Sequence, residues 1–452
     1  MKRIVTSVLG LLALLAFTQC EDTAYPQYEG KPFDPNKKLE LKSFTPDSGG
    51  VAEQVILKGE NFGLDKEKLR VYFNKKKATV IDTKGDVAYV MAPRLPGDTC
   101  IITVAIGNDS LQFTKNFYYK TKVHVTTFCG NPHQEAGHKD GPLTEALLSK
   151  PYYIAVDNEK NIFVGEYPYS ISGNMHRIRM LNEEKNSCTT VYQASGGGFL
   201  LSGTCCPKTQ KIYFPLNGSA QYIELDPEKQ WAPRKVTPTL TKVGDFEIKD
   251  LYDKWSFAVS PEDQKIYTIT KKGQLISIDP KTHEAELVMD GILKRELPDA
   301  MQAYLTFDPN NPHMIYFVNP YPLAAYDEKI PGTDKVYTID LRRKLVEEFA
   351  GSGIKGHLDG PKHLAQFNNP CQICFDKDGT IYIGDTDNCC VRKIDKEGHV
   401  STVVGKPGES GYMDGDPEHA LFKRFWGMHI DPDGTLYIAD YYNMCVRKLV
   451  IE

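Results

Sequence analysis

The sequence predicts an all-β protein made of a small β-sandwich followed by a six-bladed β-propeller. The chain of 452 residues contains 25 Tyr and 20 Phe, an aromatic content typical of strand-rich proteins. A segment near its start consists of short apolar runs separated by Gly, Pro, Asn and Asp, the pattern of short strands and tight turns. The remainder repeats one motif several times, which indicates a repeat architecture.

Composition and charge exclude some classes of function. The net charge is −5 at pH 7, and such a surface repels nucleic acid. The densest basic cluster, Lys75-Lys76-Lys77, is expected to be a solvated hairpin turn. Most of the 11 cysteines lie in apolar, strand-like runs, where Cys behaves as a small buried hydrophobic residue. We therefore expect no nucleic-acid partner and no disulfide framework.

The first residues have the pattern of an export signal. Two basic residues precede an apolar run over residues 4–17, which is short for a membrane span, so residues 1–19 are expected to be a signal peptide. Cys20 resembles the lipobox cysteine of bacterial lipoproteins, and the acidic pair after it resembles the surface-export signal of Bacteroidota lipoproteins. The resemblance implies lipidation of Cys20 and a tether over residues 20–38. The alternative is an ordinary signal peptide with a coincidental cysteine.

Residues 39–120 are predicted to form the sandwich. Runs such as VILKGENFG, VYFNKKKATVI and CIITVAIG end at turn residues, and six or seven strands in roughly eighty residues indicate a small β-sandwich. The motif GENFG at 59–63, with Thr-Pro at 45–46 and Ala-Pro at 92–93, resembles the IPT/TIG branch of immunoglobulin-like domains. The resemblance implies an immunoglobulin-like fold for residues 39–120.

Internal repeats predict the propeller over residues 121–452. Residues 137–164, 356–383 and 411–438 align almost without gaps, each with a Gly-x-x-Asp-Gly start and a later apolar strand. Each copy continues into an acidic residue and then a strand that contains arginine. This pattern resembles the NHL repeat. The resemblance implies blades of a β-propeller.

Weaker copies complete the ring. A turn followed by an Ile-Tyr strand recurs at 205–214, 259–269 and 307–318, so the copies number six. Each unit has strands a, b, c and d, but the chain ends after strand c of the last unit. Residues 123–129, VHVTTFC, match strand d, and we expect them to complete blade six, leaving no open sheet edge.

Aromatic residues concentrate in the loops that follow strand b and precede strand a. In a propeller these loops share one face, where ligands bind near the central axis. Exposed rings suit carbohydrate, because the C–H faces of sugars stack on Tyr and Trp. The alternative is that the rings only pack the loops. The candidate ligand-binding residues are Tyr167, Tyr169, Tyr321, Tyr326, Trp426, Tyr441 and Tyr442.

Polar residues also recur at equivalent repeat positions. They are Glu166, Asp385 and Asp440 after strand b; Arg177, Arg392 and Arg447 in strand c; and Asp140, Asp359 and Asp414 in the Gly-x-x-Asp-Gly loops. One interpretation of the first set is an acidic ring that binds a cation or carries out acid–base catalysis. A residue needed in every blade more often serves the blade itself, here by hydrogen-bonding loop backbone. The Asp-Gly loops are expected to be turns.

Catalytic and metal motifs are not evident in the sequence. Cys371-x-x-Cys374 followed by Cys389-Cys390 has a spacing like that of zinc ligands, but residues three apart on a strand point to opposite faces, so buried thiols are expected. The sequence contains no nucleophile elbow, phosphate loop or dinucleotide fingerprint. We assign no catalytic residue, metal ligand or cofactor.

The features together predict a non-catalytic surface binding protein. The architecture resembles accessory lipoproteins of Bacteroidota nutrient uptake, which implies a glycan or peptide ligand. It also implies a TonB-dependent transporter with its lipoprotein lid as partner, and a lipid-anchored position on the outer membrane facing outwards. Two alternatives stay open, a metal-dependent propeller enzyme of lyase or lactonase type and a protein–protein scaffold without a small ligand, since a fold does not fix function.

Overall fold

The computed structural model describes residues 30–94, 99–133, 137–166, 175–195, 199–240, 247–293, 302–320 and 334–452. The chain divides into two compact units, Met1–Thr121 and Lys122–Glu452. Strands dominate both units, which confirms the all-β fold class. In the described part of the chain, no helix combines the length and the apolar character that crossing a membrane requires.

The first unit is a two-sheet sandwich. Its strands are β1 (Glu40–Thr45), β2 (Ser48–Gly49), β3 (Gln54–Glu60), β4 (Arg70–Phe73), β5 (Lys76–Lys77), β6 (Thr79–Thr83), β7 (Val87–Met91), β8 (Thr99–Ile106) and β9 (Asp109–Tyr119). One sheet has the order β1-β3-β7-β6 and the other β2-β9-β8-β4-β5. The basic cluster forms the β4–β5 hairpin, as expected, with Phe73 paired to Lys76.

Aromatic residues fill the space between the two sheets. Phe73 and Phe117 meet edge to face at 5.0 Å, and Phe44 meets Phe113 at 5.1 Å. In the GENFG motif, Asn61 takes a left-handed backbone with φ of 68°, which Asn tolerates better than most residues. Its side-chain amide donates to the carbonyl of Asp34 at 2.9 Å. The motif therefore turns the chain and ties the incoming segment to the sandwich.

The second unit contains six sheets in the described residues, one for each blade. The first strand is β10 (Val123–Gly130), followed in blade one by β11 (Pro151–Val156), β12 (Ile162–Glu166), β13 (Met175–Asn182) and β14 (Ser187–Ser195), and in blade two by β15 (Thr204–Cys205), β16 (Ile212–Pro215), β17 (Tyr222–Leu225) and β18 (Pro233–Val236). Blade three contains β19 (Thr239–Leu240), β20 (Ala258–Val259), β21 (Ile266–Ile269), β22 (Leu275–Ile278) and β23 (Glu284–Met289), and blade four contains β24 (Tyr304–Asp308), β25 (Asn311–Val318), β26 (Val336–Asp340) and β27 (Leu345–Ala350). Blade five contains β28 (Gly360–Pro361), β29 (Pro370–Phe375), β30 (Ile381–Asp385), β31 (Cys390–Ile394) and β32 (His399–Val404), and blade six contains β33 (Gly427–Ile430), β34 (Leu436–Asp440) and β35 (Cys445–Ile451). Short 3₁₀ helices lie at Pro227–Lys229, Ile248–Asp253, Thr386–Asn388 and Tyr441–Asn443.

The innermost strands form a closed ring. Strand a of each blade (β11, β15, β20, β24, β29 and β33) contacts strand a of both neighbouring blades, and β33 of blade six contacts β11 of blade one. Each blade can thus bury both faces of its sheet against neighbours. The structure therefore confirms the six-bladed propeller.

Strand β10 completes blade six. It pairs antiparallel with β35, from Val123 opposite Ile451 to Gly130 opposite Cys445. The two ends of the unit are thereby hydrogen-bonded together, and Lys122 and Glu452 exchange a further pair of backbone hydrogen bonds. This confirms the predicted closure by residues 123–129.

The Asp-Gly loops do more than turn the chain, which corrects the sequence-based expectation. Gly141, Gly360 and Gly415 each pair with the outer strand d of a blade and cover its edge. Their φ angles are 142°, 132° and 133°, and a Cβ at Gly141 or Gly360 would meet no atom within 4 Å. Backbone conformation, not space, therefore requires glycine there. The loops protect sheet edges that would otherwise be open.

Candidate functional site

The strand directions place two sets of connections on one face of the ring. Strands a to d of every blade run antiparallel to their neighbours in the sheet. The d-to-a and b-to-c connections therefore leave on the same face, called here the upper face, and the a-to-b and c-to-d turns leave on the other. This is the face on which the sequence placed the candidate ligand-binding residues.

The predicted site residues have different places in the structure. Trp426, Tyr441 and Tyr442 are described, and all belong to the upper connections of blade six. The candidates that lie outside the described residues are Tyr167, Tyr169, Tyr321, Tyr326 and the predicted lipidation site Cys20. The four tyrosines occupy b-to-c connections in the chain order, two between β12 and β13 and two between β25 and β26.

The aromatic residues of blade six form a layer with Tyr152 of blade one. Trp426 is only 2% exposed, and its ring stacks on Tyr152 at a centroid distance of 5.3 Å and an angle of 12°. Tyr441, 7% exposed, meets the same Tyr152 edge-on at 5.2 Å. Tyr442 is 43% exposed and packs at right angles to Tyr441. The expectation of exposed rings thus holds for Tyr442, whereas Trp426 and Tyr441 lie under the surface.

Two basic side chains border this aromatic layer. The Lys150 ammonium lies 5.5 Å from the centre of the Tyr441 ring, and the Arg424 guanidinium lies 5.3 Å from that of Trp426, both at cation–π distance. Arg424 also pairs with Asp387 of blade five at 2.9 Å. Lys150 and Arg424 precede strand a in their blades with the same left-handed φ of 53°. The upper face at blades five, six and one therefore combines rings, cations and one carboxylate.

Side chains from opposite blades meet across the central axis. The hydroxyl groups of Tyr153 in blade one and Tyr304 in blade four are 2.5 Å apart. Ser202 of blade two lies 3.4 Å from the side-chain oxygen of Gln372 in blade five. Burial raises the pKa of Tyr153 well above its usual value, so the phenol is neutral and can donate or accept a hydrogen bond. Tyr153 also packs edge-on against Tyr152 at 4.3 Å, so these contacts adjoin the aromatic layer.

The recurring acids serve the blades, as the recurrence suggested. Each accepts a hydrogen bond from a backbone N–H of the preceding d-to-a loop: Ser149 to Glu166, Asn368 to Asp385 and Lys423 to Asp440. Each also pairs with a buried arginine of strand c at 2.9 to 3.1 Å. Burial raises the pKa of Glu166 to about 7 and that of Asp385 to about 6. The acids thus hold loops and arginines within each blade.

The arginine of blade one is Arg179, not Arg177, which corrects the sequence-based assignment. Val164 pairs with Arg179 in the ladder as Ile383 pairs with Arg392, so these two arginines are equivalent. Arg179 also contacts Asp140 of the Asp-Gly loop at 2.7 Å. The corresponding aspartates of blades five and six contact their arginines at 2.6 Å.

Blade four replaces this pair with neutral residues. Asn319 takes the place of the acid, because it accepts the N–H of Gln302 seventeen residues earlier, the spacing found in the other three blades. Tyr337 takes the place of the arginine, as its pairing with Phe317 shows. Acid and arginine are thus replaced together, as expected of two residues whose function is to pair with each other.

The described residues contain no group of three or more His, Cys, Asp or Glu side chains arranged to hold a metal ion. Cys371 and Cys374 are buried, and the Cys371 thiol donates to the carbonyl of Asn369 at 3.4 Å. Burial raises the pKa of both thiols. These cysteines therefore act as buried apolar residues.

Sequence reasoning missed Lys150, Tyr152, Arg424 and Asp387. A signal for two of them was present, because Lys150 and Arg424 occupy one position when the strong repeats are aligned on strand a, and Asn369 occupies it in blade five. Repeat alignment alone could not show that their side chains reach the rings of blade six.

The fold and this face define a β-propeller protein with an N-terminal β-sandwich and an aromatic, basic patch on the upper face of the propeller. Residues 39–120 match the IPT/TIG domain family. A solved Bacteroides thetaiotaomicron protein of unknown function is 25% identical, with a TM-score of 0.76 over 93% of this chain and 100% of that chain. An auxiliary nutrient binding protein from the same species is 22% identical, with a TM-score of 0.57 over 93% of this chain and 99% of that one.

A curated relative gives a partial match. The Arabidopsis thaliana protein SUPPRESSOR OF QUENCHING 1, chloroplastic, is 24% identical over 296 residues, which is 58% of this chain. The match spans about a quarter of that protein, 26% of its length.

Proposed function

We propose that this chain is a non-catalytic binding protein that captures a glycan on the upper face of its propeller for nutrient uptake. The observation that carries the proposal is the patch formed by Tyr442, Lys150 and Arg424 over the buried rings of Trp426 and Tyr441. Rings offer apolar surface to the C–H faces of a sugar, while cations and carboxylates take its hydroxyl groups. The patch therefore combines apolar and charged groups at the surface of the upper face.

The remaining candidate tyrosines extend this proposal. Tyr167, Tyr169, Tyr321 and Tyr326 occupy b-to-c connections in the chain order, and these connections leave on the upper face. In our proposal they supply further stacking surface around the patch. Together with Tyr442 they would let an extended oligosaccharide contact several blades.

Similarity to a Bacteroides thetaiotaomicron auxiliary nutrient binding protein supports a nutrient-binding role. In our proposal the chain is a lipoprotein anchored through Cys20 to the outer membrane and facing outwards. A TonB-dependent transporter and its lipoprotein lid would receive the glycan. The acidic net charge of −5 is compatible with such a surface position and gives no reason to expect nucleic acid as a ligand.

Calorimetry of the full chain against a panel of oligosaccharides and peptides, each with and without EDTA, tests this function. We expect heat of binding for a glycan, unchanged by EDTA. We expect Tyr442→Ala to weaken binding about 2- to 13-fold, since an aromatic stacking contact is worth roughly 0.5–1.5 kcal/mol. Tyr118→Ala is the matched control, because Tyr118 is a comparably exposed tyrosine of the sandwich unit at 55%.

Each other outcome points elsewhere. Binding or turnover that EDTA abolishes would favour the metal-dependent enzyme. If peptides bind and no glycan binds, the ligand is a peptide and the proposed glycan class is wrong. No heat with any ligand, from a folded protein, would contradict the proposal and favour a scaffold.

A further inference from the structure

Two buried cysteines meet where blade six passes to blade one. Cys129 lies near the end of the closing strand β10, and Cys188 lies on β14, the outer strand of blade one. Both belong to one apolar cluster with Leu143. The loop between them joins their backbones, since Gly130 donates to the carbonyl of Leu143 at 3.4 Å and Gly141 exchanges two hydrogen bonds with Cys188. A hydrogen bond to the Cys188 thiol, followed by burial, raises the pKa of Cys129.

The equivalent junction between blades five and six uses other residues. Val404 occupies the position of Cys129, because each pairs with the second residue of strand c in its blade. Val125 occupies the position of Cys188, because each pairs with the glycine of an Asp-Gly loop. Both valines are buried. Two aliphatic side chains therefore fill this place, so packing alone does not require sulfur at both positions.

We propose that Cys129 and Cys188 form a disulfide when the protein folds in the presence of a thiol oxidant, before packing buries both sulfurs. The thiolate is the form of cysteine that attacks a disulfide. The Cys188 thiolate attacks the disulfide of the oxidant and releases one oxidant thiol. The Cys129 thiolate then attacks the mixed disulfide and releases the second. Two protein thiols are oxidised, and the oxidant disulfide is reduced to two thiols.

Such a bond would fasten the closing strand β10 to blade one. Among the described strands of blade six, β10 comes from the start of the unit and the others from its end, and β10 is held to β35 by backbone pairing. A bond from Cys129 to Cys188 joins this strand to blade one as well. Separation of β10 from blade one would then require breaking a covalent bond, whereas the pairing of β10 with β35 would still rest on backbone hydrogen bonds.

Peptide mapping of the full-length protein, refolded with oxidised glutathione and alkylated without reduction, tests the proposal. We expect one cross-linked peptide pair that contains Cys129 and Cys188, lighter by two hydrogen atoms than the sum of the two peptides. Full alkylation of both cysteines, or a cross-link of either one to another cysteine, would overturn it. This measurement uses the unsubstituted chain and does not depend on a variant that folds.

A valine variant provides the control. Cys129→Val with Cys188→Val reproduces the junction of blades five and six, so we expect it to fold. Addition of reductant should lower the melting temperature of the oxidised wild-type protein by several degrees and leave the variant unchanged. An equal response of the two proteins to reductant would contradict the proposed bond. Cys371→Ser, at a buried thiol of blade five, should respond like wild type.

Discussion

Replacement of Arg392 by tyrosine tests the claim that each carboxylate and arginine form one structural unit. Arg392 is fully buried and donates to Asp385 at 2.9 Å, to Asp359 at 2.6 Å and to the carbonyls of Gln366 and Leu358. Without it, Asp385 would remain buried with no cation. Breaking a buried ion pair in this way costs about 3–5 kcal/mol of the free energy of unfolding.

The chain itself supplies a compensating substitution. Blade four has Asn319 and Tyr337 at these two positions, so the double variant Asp385→Asn, Arg392→Tyr copies that solution. The amide keeps an acceptor for the N–H of Asn368 and removes the unpaired charge. We expect the double variant to be more stable than the single variant by at least about 1–2 kcal/mol.

Urea unfolding followed by tryptophan fluorescence measures both effects. All three tryptophans of the chain lie in the propeller unit, so the signal reports that unit. Arg343→Tyr serves as the control, because Arg343 is 57% exposed and its ion pairs should contribute less than about 1 kcal/mol. A single variant within about 1 kcal/mol of wild type, or a double variant no more stable than the single one, would refute the reasoning.

Three further predictions follow from the packing. Burial raises the pKa of Glu166 from 4.5 to about 7, so the folded protein binds this proton more tightly than the unfolded chain. The stability that this group contributes should therefore fall as pH rises from about 4.5 to about 7. Glu166→Gln should remove this decrease when the free energy of unfolding in urea is plotted against pH. Plots that run parallel for wild type and variant would contradict the prediction. Trp426→Ala removes a ring stacked on Tyr152 and should cost about 3–5 kcal/mol, measured by circular dichroism, and an unchanged midpoint would show that the ring is dispensable. Thr127→Val removes the hydroxyl that contacts Tyr412 at 2.7 Å across the closure and should cost about 1–2 kcal/mol in urea unfolding; no change would mean that backbone pairing alone closes the ring.

The sequence predicted the parts of the fold that depend on local pattern and repetition. Three strong repeats and three weaker copies together gave the blade count, and the missing strand d after β35 predicted the closure by β10. The error at Arg177 has a simple cause: Arg177 and Arg179 lie two apart on one strand and so share a face. Only the pairing of Val164 with Arg179 distinguishes them.

Contacts across the ring could not be predicted from a single sequence. Tyr153 and Tyr304 are 151 residues apart in the chain, and their hydroxyl groups meet only because blades one and four stand opposite each other. The sequence did not show that Asn319 and Tyr337 replace the acid and the arginine, because blade four cannot be aligned closely with the strong repeats. The pairing shown by the structure reveals the equivalence.

The candidate site was predicted in part. The sequence placed Tyr441 and Tyr442 in the connection after strand b of blade six, and the structure has them there. Exposure could not be predicted, because burial of Trp426 depends on Tyr152 from the neighbouring blade. Lys150 and Arg424 share one repeat position, but the alignment alone could not show that their side chains reach the rings of blade six.

Hydrogen–deuterium exchange of the full chain, with and without a bound oligosaccharide from the calorimetric panel, tests the central claim most directly. A ligand on the upper face should slow exchange around Lys150, Arg424 and the 3₁₀ helix Tyr441–Asn443. Exchange at the a-to-b turns on the other face, residues 376–379 and 431–434, should stay unchanged. Protection confined to those turns, or to the sandwich unit, would contradict the assignment of the binding face.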